Sequence, residues 1–343
     1  MPVLIGLSSA PFIASTITLS SSTNYNQNSG VVNATINTTG NRNITSVEFQ
    51  LSTTSDFSSG NTSWIAASTN TTITQGSTST SRSATPSGLS NNTTYYVRCR
   101  TINSSGFITT SSIGASFKTY KLNTVSFTGS STWTNPVTSS GTSGLAITQL
   151  LNLEARAGGG AGGFDFATQG AGGGGAGART TASSATISGN VTVTVGAGGG
   201  YLGELFGGPF WYPSDGNATT IGSVLSATGG ISGSFGQDGG ASGNGNAGGT
   251  GKIYEAGGGG GGTNGAGGNS SGTSYPYVGG AGGAGWTAGY GVGGAGGNLS
   301  STAPTNGGTY TGNGGSGQND SNNDSPSFGL GGSGYAYFEY WGP

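Results

Sequence analysis

The sequence predicts an all-β protein, and three observations support that fold class. Apolar residues alternate with polar ones in short runs separated by Asn, Ser and Gly, the period-two pattern of strands with one buried face. Several of these runs lead directly into stretches of glycine. Composition and charge also change together near residue 122, which predicts a domain boundary at that point.

The change at residue 122 concerns both charge and glycine content. Residues 1–121 hold six basic and two acidic residues, whereas residues 122–343 hold three basic and nine acidic ones. Only eight of the 75 glycines lie before residue 122. We therefore predict an N-terminal arm (1–16), a first β-domain (17–121) and a glycine-rich β-domain (122–343).

Alternating runs predict the inward-facing side chains of the first β-domain. These are Val32, Ala34, Ile36, Val47, Phe49, Leu51, Tyr95, Val97 and Cys99. Leu89 precedes Tyr95 by six residues, and the turn residues 103–106 close the strand that Tyr95 begins. This arrangement resembles the tyrosine corner of a fibronectin type III domain and covers about residues 17–119. The resemblance implies a seven-stranded sandwich in which the Tyr95 hydroxyl bonds to upstream backbone.

Three residues of the Tyr95 strand have predicted environments that bear on function. Cys99 belongs to the inward set, so we expect a small core hydrophobe and not a reactive thiol. Arg98 and Arg100 share the outward face with Tyr96. They either bind an acidic partner or lie in solvent, where ion pairs contribute little.

The glycine runs admit two interpretations. Half of residues 256–297 are glycine, and glycine loses the most conformational freedom when it is ordered. Such a run is ordinarily a flexible linker. The alternative is an ordered bundle of extended threefold helices, in which neighbouring chains supply the hydrogen bonds that each helix lacks.

The order of strand-like runs around the glycines favours the bundle. Three runs end in glycine, with Leu151, Leu153 and Ala155 expected to face inward in the first, and an aromatic strand follows the last glycine run. The junctions lie at Ala157–Gly163, Gly196–Gly200, Gly229–Gly230 and Gly331–Gly334. From about residue 124 to 342 this order resembles the glycine-rich domain of many phage tail and fibre proteins. That family implies a small β-sandwich with packed polyglycine II helices that carry variable tips, as on phage adhesins.

The composition excludes several classes of function. With no histidine and only Cys99, the chain forms no intrachain disulfide, His/Cys metal site or His-based catalytic triad. No apolar run reaches the roughly 18 residues of a membrane span. Residues 2–14 make a poor signal peptide because no basic residue precedes them and Pro11 interrupts them. A composition typical of extracellular proteins without an export signal is found in proteins of particles that are released by cell lysis.

Short motifs for chemistry are incomplete in this chain. The glycine pattern at 170–175 follows no βαβ unit, so it predicts no dinucleotide site. The P-loop-like Gly251-Lys252 is followed by Ile253, and the calcium-loop-like residues 320–324 lack the required Gly and Glu. The carboxylates of Glu204, Asp215, Asp238 and Glu255 are too few to favour a glycosidase. We expect no catalytic residue, cofactor or metal, although a loose cation site near Asp320 stays open.

Large aromatic residues between the glycine runs are the candidate receptor-binding residues. They are Phe210, Trp211, Tyr212, Tyr275, Tyr277 and Trp286. Aromatic rings with few charges nearby suit stacking on sugars or on a flat protein epitope. The alternative is structural, with the rings filling gaps between glycine helices or lying in an oligomer interface.

Together these features predict a non-enzymatic phage virion protein, a tail fibre or adhesin component that attaches to a host-surface glycan or protein. The N-terminal arm (1–16) or the fibronectin-like domain would contact other virion proteins, and the chain would be oligomeric in the virion. We expect no nucleic-acid binding and no membrane insertion. The alternatives are a capsid decoration or head-fibre protein, and a bacterial polysaccharide- or ice-binding surface protein.

Overall fold

The computed structural model confirms the all-β prediction. It describes residues 11–137, 144–163, 171–204, 211–234, 238–251, 256, 258–271, 278–286, 289–297, 305–317 and 329–343. These residues form antiparallel sheets, and no helix occurs among them. The chain divides into two compact units. The first takes in the described residues up to Asn123, with those of Pro136–Ile147 and Trp341–Pro343, and the second comprises those of Thr124–Asn135 and Thr148–Tyr340.

The first unit contains two sheets that enclose one apolar core. One sheet has the order β1-β2-β5, with β1 (Thr16–Thr23), β2 (Val31–Thr38) and β5 (Thr78–Ala84). The other has the order β4-β3-β6-β7, with β4 (Ile65–Ala66), β3 (Ile44–Ser52), β6 (Thr94–Asn103) and β7 (Ile108–Thr110). A further strand, β8 (Ala115–Lys118), pairs with the first half of β6. Inward side chains of both sheets form a single buried cluster.

The predicted inward residues of this unit are confirmed. All nine side chains from β2, β3 and β6 are buried in the cluster. The main-chain N–H of Ser90 donates to the Tyr95 hydroxyl over 2.9 Å, so the expected bond to upstream backbone is also confirmed. Burial raises the pKa of the Cys99 thiol to about 12, which keeps it protonated and unreactive, as predicted.

The outward face of β6 is more ordered than a solvated face. The Arg98 guanidinium lies 4.3 Å from the ring centre of Phe57 and hydrogen-bonds to the Gln50 side chain on β3. Arg100 lies 4.1 Å from the Trp64 ring centre and forms an ion pair of 2.6 Å with Glu48. These contacts occupy both arginines within the unit.

The second unit is built on two sheets and a hairpin. One sheet has the order β10-β13-β16-β17, with β10 (Ser131–Trp133), β13 (Val191–Thr194), β16 (Thr219–Ile221) and β17 (Leu225–Ala227). The other has the order β12-β11-β18-β9, with β12 (Arg179–Thr186), β11 (Gln149–Arg156), β18 (Tyr335–Gly342) and β9 (Lys121–Phe127). The hairpin consists of β14 (Tyr201–Glu204) and β15 (Trp211–Pro213). Trp133 packs edge-on against Phe338, with ring centres 5.5 Å apart, and so links the two sheets.

One predicted inward residue of β11 is wrong. Leu153 and Ala155 are buried as expected, but Leu150 is fully buried in place of Leu151, which is half-buried. The cause is a β-bulge at Asn152, which has a φ of 46° at a register shift between β11 and β18. A bulge adds one residue and so reverses the inward–outward alternation on one side of it.

Extended glycine-rich segments pack side by side between the strands; we term this assembly the glycine bundle. Its segments are 157–163, 171–178, 196–200, 214–217, 228–234, 238–243, 246–251, 258–262, 265–271, 278–285, 291–297, 305–308, 312–317 and 329–334. Each segment bonds to other segments through its main chain, over distances such as 2.8 Å from Gly160 N to Gly175 O. The linker interpretation is therefore wrong for these segments.

The direction of the hydrogen bonds repeats every three residues. In segment 157–163, the amides of residues 157, 160 and 163 donate to segment 171–178. The amides of residues 158 and 161 donate to segment 214–217, and those of residues 159 and 162 donate to segment 329–334. Segment 171–178 likewise donates to segments 258–262, 312–317 and 228–234 in turn. Its carbonyl groups accept from segments 157–163, 238–243 and 291–297. Segment 171–178 is buried at every residue and thus lies at the centre of the bundle.

In the interior of the bundle, glycine is required because of space and not because of backbone angles. Positive φ values occur at turn glycines such as Gly245 and Gly289, whereas the glycines of segment 171–178 have none. A Cβ built on Gly158, Gly174 or Gly260 would come closer than 3.0 Å to a carbonyl oxygen of a neighbouring segment. Alanine methyl groups are nevertheless buried in the interior at Ala161, Ala171 and Ala176, whereas Ala247 and Ala295 at the periphery are exposed.

We predict that Gly174→Ala lowers the free energy of unfolding of the second unit by more than about 2 kcal/mol, because the added methyl group meets backbone that has no room to shift. Gly200→Ala is the matched control, since a Cβ there has no atom within 4 Å and its φ is not positive. Thermal and denaturant unfolding measure both effects. Equal stability of the two variants would show that the glycines are not sterically required.

Amide exchange provides a second test of the bundle. Successive residues from Gly173 to Ala178 all donate to other segments, so we expect slow exchange at every one of these amides. In the edge strand β12, every second amide faces away from β11, so protection there should alternate. Residue-resolved hydrogen–deuterium exchange distinguishes the two patterns, and rapid exchange across 173–178 would contradict the packing described above.

Candidate functional site

Hydrogen-bond pairing assigns two ends to the glycine bundle. Strand β11 enters at Ala157, which bonds to Ala178, and Gly163 at the other end of the segment bonds to Gly172. The same antiparallel pairing relates segments that follow one another in the chain, such as 265–271 and 278–285. Every segment therefore has one end beside the strands, termed the sheet end, and one at the opposite side, termed the far end.

Two of the six candidate aromatic residues lie in the hairpin at the far end. Strands β14 and β15 follow Gly200 and precede Ser214, and these two residues pair at the far end of segments 196–200 and 214–217. Trp211 pairs with Glu204 in the hairpin, and Tyr212 pairs with Leu202 and is 42% exposed. Tyr201, on the other strand, is 55% exposed. This hairpin thus presents tyrosine rings at the end remote from the sheets.

The remaining candidates divide between the undescribed residues and the sheet end. Phe210, Tyr275 and Tyr277 lie outside the described residues. Ser271 and Val278, which flank residues 272–277, bond to each other at the far end. Trp286 lies at the sheet end, because the whole of segment 278–285 separates it from that pair. The structure therefore does not place Trp286 with Tyr212 on one surface.

Trp286 takes part in a cluster with two arginines on the outer face of the sheet. The Arg156 guanidinium lies 4.6 Å from the ring centre of Trp286, 5.2 Å from that of Tyr290 and 5.0 Å from that of Tyr335. Arg179 lies 4.4 Å from the Trp286 ring centre. Each guanidinium thus lies over an electron-rich ring face, and the turn that contains Trp286 is held against β11, β12 and β18.

The two arginines of this cluster share one carboxylate. Arg156 and Arg179 are directly opposite each other on β11 and β12, a pairing of like charges that is unfavourable by itself. Glu154 accepts from Arg156 Nε over 2.5 Å and from Arg179 Nη2 over 3.0 Å. Burial acts to raise the pKa of Glu154, but the hydrogen bonds and charges of Arg179 and Arg156 together lower it below its usual value. Glu154 is therefore ionised at neutral pH and offsets the repulsion.

The described carboxylates at the far end bond to the main chain. Asp215 Oδ1 accepts from the Ser232 N–H over 2.7 Å, and Asp238 Oδ1 accepts from the Gly251 N–H over 2.9 Å. Both therefore close hydrogen bonds at segment ends. Glu255 and residues 320–324 lie outside the described residues, so the expectations for them stay untested.

Within the part of the chain that the structure describes, no group of three or more His, Cys, Asp or Glu side chains is placed to hold a metal ion. That part also contains no helix long and apolar enough to span a membrane. At the far end, the exposed rings of Tyr201 and Tyr212 offer aromatic surface for non-covalent contacts.

Sequence reasoning missed the arginine–aromatic cluster. The sequence contains only a weak signal of this cluster. Arg156 and Arg179 are two of the three basic residues after residue 121, and both border glycine runs. The register between β11 and β12 had to be known before the pairing of Arg156 with Arg179 could be inferred.

No family model matches the chain, and a search of curated proteins finds no match.

We predict that Glu154→Gln destabilises the second unit by about 1–3 kcal/mol at pH 7, because the charged hydrogen-bonding partner of Arg156 and Arg179 is lost. The folded-state pKa of Glu154 is lowered, so its contribution is full above the ordinary carboxyl value of about 4.3 and is lost as pH falls through the folded value. The difference between wild type and variant should therefore shrink below about pH 4.

Denaturant unfolding at pH 7 and at pH 3, followed by tryptophan fluorescence, measures this change. Thr181→Ala is the matched control, since Thr181 lies opposite Glu154 on β12 and has no charge to titrate. A wild-type–variant difference that is the same at both pH values would contradict the assigned role of Glu154.

Proposed function

We propose that this protein is a non-enzymatic structural protein of a phage virion, a tail fibre or adhesin component that attaches to a host-surface glycan or protein. The observation that supports the proposal is the hydrogen bonding of the glycine bundle, which repeats every three residues. A bundle of this kind is the property for which the sequence resembles the glycine-rich domain of phage tail and fibre proteins.

The glycine segments are best explained as polyglycine II helices. Such a helix has three residues per turn and no internal hydrogen bonds, so successive residues point in directions about 120° apart. Donation from residues 173, 174 and 175 to three different segments agrees with this geometry. At about 3.1 Å per residue, the bundle would hold its far end roughly 20 Å from the strands.

The first unit is proposed to be a fibronectin type III-like domain. Its two antiparallel sheets, its common core and the bond between Ser90 and Tyr95 agree with the tyrosine corner expected from the sequence. Modules of this kind act as spacers and adhesion units, so function is assigned from the second unit and not from this fold. The first unit and the N-terminal arm would then join the chain to other virion proteins.

Attachment is proposed to use the far end of the bundle. Every glycine segment that reaches this end is fixed by main-chain bonds to several neighbours, so a loop there is held on a rigid support. Tyr212 is exposed at this end. It is the described side chain of the proposed surface, to which the sequence adds Phe210, Trp211, Tyr275 and Tyr277. Trp286 is proposed to be structural, because its ring lies against Arg156 and Arg179.

We predict that replacing Trp211 and Tyr212 together by Ala reduces adsorption of otherwise intact particles to host cells by at least about tenfold, because aromatic residues dominate binding energy at small interfaces. Adsorption should respond only slightly to salt, since the surface contains few charges. Tyr310→Ala is the matched control. Tyr310 is similarly exposed, at 41%, but lies at the sheet end between segments 305–308 and 312–317.

Two results would contradict the proposal. Normal adsorption with failed assembly would place these rings in a structural interface and favour a capsid decoration or head-fibre protein. A loss of adsorption in the Tyr310 variant equal to that of the double variant would show that the far end is not the attachment surface.

A further inference from the structure

The first unit has an exposed apolar patch, centred on the rings of Phe12 and Phe107. The Phe12 and Phe107 rings stack with centres 4.8 Å apart, yet they are 44% and 52% exposed. Ile13 and Ile108, their neighbours in the chain, are 57% and 54% exposed. Two aromatic rings that touch each other and are both about half exposed indicate an interaction surface and not scattered surface residues.

The patch is held in place by the chain segment that leads into β1. Asn41 Oδ1 accepts from the Ile13 N–H over 3.1 Å, and Asn41 Nδ2 donates to the Pro11 carbonyl over 2.8 Å. Gly40 lets this segment approach, because a Cβ there would overlap the Ile13 carbonyl. Ser15 follows Ile13 by two residues, and the hydroxyls of Ser15 and Thr101 form a buried hydrogen bond of 2.7 Å. Phe12 is thus presented by a fixed backbone.

The sequence that precedes this segment is complementary to the patch. Residues 1–10 contain Val3, Leu4, Ile5 and Leu7 and no charged side chain. Ten extended residues reach at most about 33–36 Å, far enough to contact another molecule.

We propose that the apolar patch binds residues 1–10 of a second copy of this chain. Leu4 and Ile5 of one copy pack on Phe12 and Phe107 of the other, and burial of these four apolar side chains drives the association. The sequence alone indicated that the arm contacts other virion proteins, whereas the apolar character shared by the arm and the patch is the basis for proposing a second copy as the partner. The inference does not depend on the proposed attachment function, because association occurs in the purified chain.

Analytical ultracentrifugation of the full chain, over a range of concentrations, tests this proposal. The arm variant carries Leu4→Asp and Ile5→Asp, and the patch variant carries Phe107→Ser and Ile108→Ser. Wild type should self-associate, and each variant should associate at least tenfold more weakly. Leu122→Ser is the matched control, because Leu122 is similarly exposed, at 43%. It lies near the opposite end of β6 from the patch. Tyr120, two residues before it, bonds to Asn92 ahead of β6, whereas Phe107 follows the end of β6.

A mixing experiment separates this model from general loss of solubility or folding. The arm variant keeps an intact patch and the patch variant keeps an intact arm, so a mixture should form a heterodimer that neither variant forms alone. A fluorescent label on one variant reports its size in the mixture. A monomeric wild type at its highest soluble concentration would overturn the proposal. So would variants that associate as wild type does, or a mixture that stays monomeric although circular dichroism shows both variants folded.

Discussion

Main-chain hydrogen bonding between glycine segments is the interaction on which the second unit depends. Each buried amide and carbonyl group of a glycine segment must find its partner on a neighbouring segment. Segment 171–178 does so in three directions as donor and in three as acceptor. The absence of a Cβ brings the backbones close enough for these bonds, and it also means that the apolar side-chain surface buried in the bundle is largely that of alanine methyl groups. Its order therefore depends on polar pairing, which is cooperative because an unpaired buried amide costs about 1–3 kcal/mol.

The strands provide what the bundle lacks. Leu150, Leu153, Val193, Ile221 and Phe338 form the apolar core from which the glycine segments extend, and β11, β13 and β18 begin or end where segments do. At the sheet end, Trp286 lies over Arg156 and Arg179, and Glu154 bridges the two arginines. This cluster attaches one of the connecting turns to the sheet through contacts that glycine cannot make.

This division of roles bears on the proposed function. A hydrogen-bonded glycine support is rigid but chemically uniform, so the proposed recognition is assigned to the residues at its ends. The sheet end is occupied by the arginine–aromatic cluster, whereas the far end presents Tyr201 and Tyr212 on a hairpin. The first unit has its own exposed surface at Phe12 and Phe107. Support, attachment and association are thus proposed to use different parts of one chain.

The sequence by itself determined the all-β class and the inward residues of β2, β3 and β6, because alternation of apolar residues is a local property that a strand converts directly into a buried face. It also determined that Cys99 is a core residue. Only the tertiary structure decided that Leu150 replaces Leu151 in the core, since the bulge at Asn152 depends on pairing with β18. It likewise decided that Trp286 lies at the opposite end from Tyr212. Glycine runs have no apolar periodicity, so their direction and neighbours are set by hydrogen bonds between segments distant in sequence, which no local pattern records.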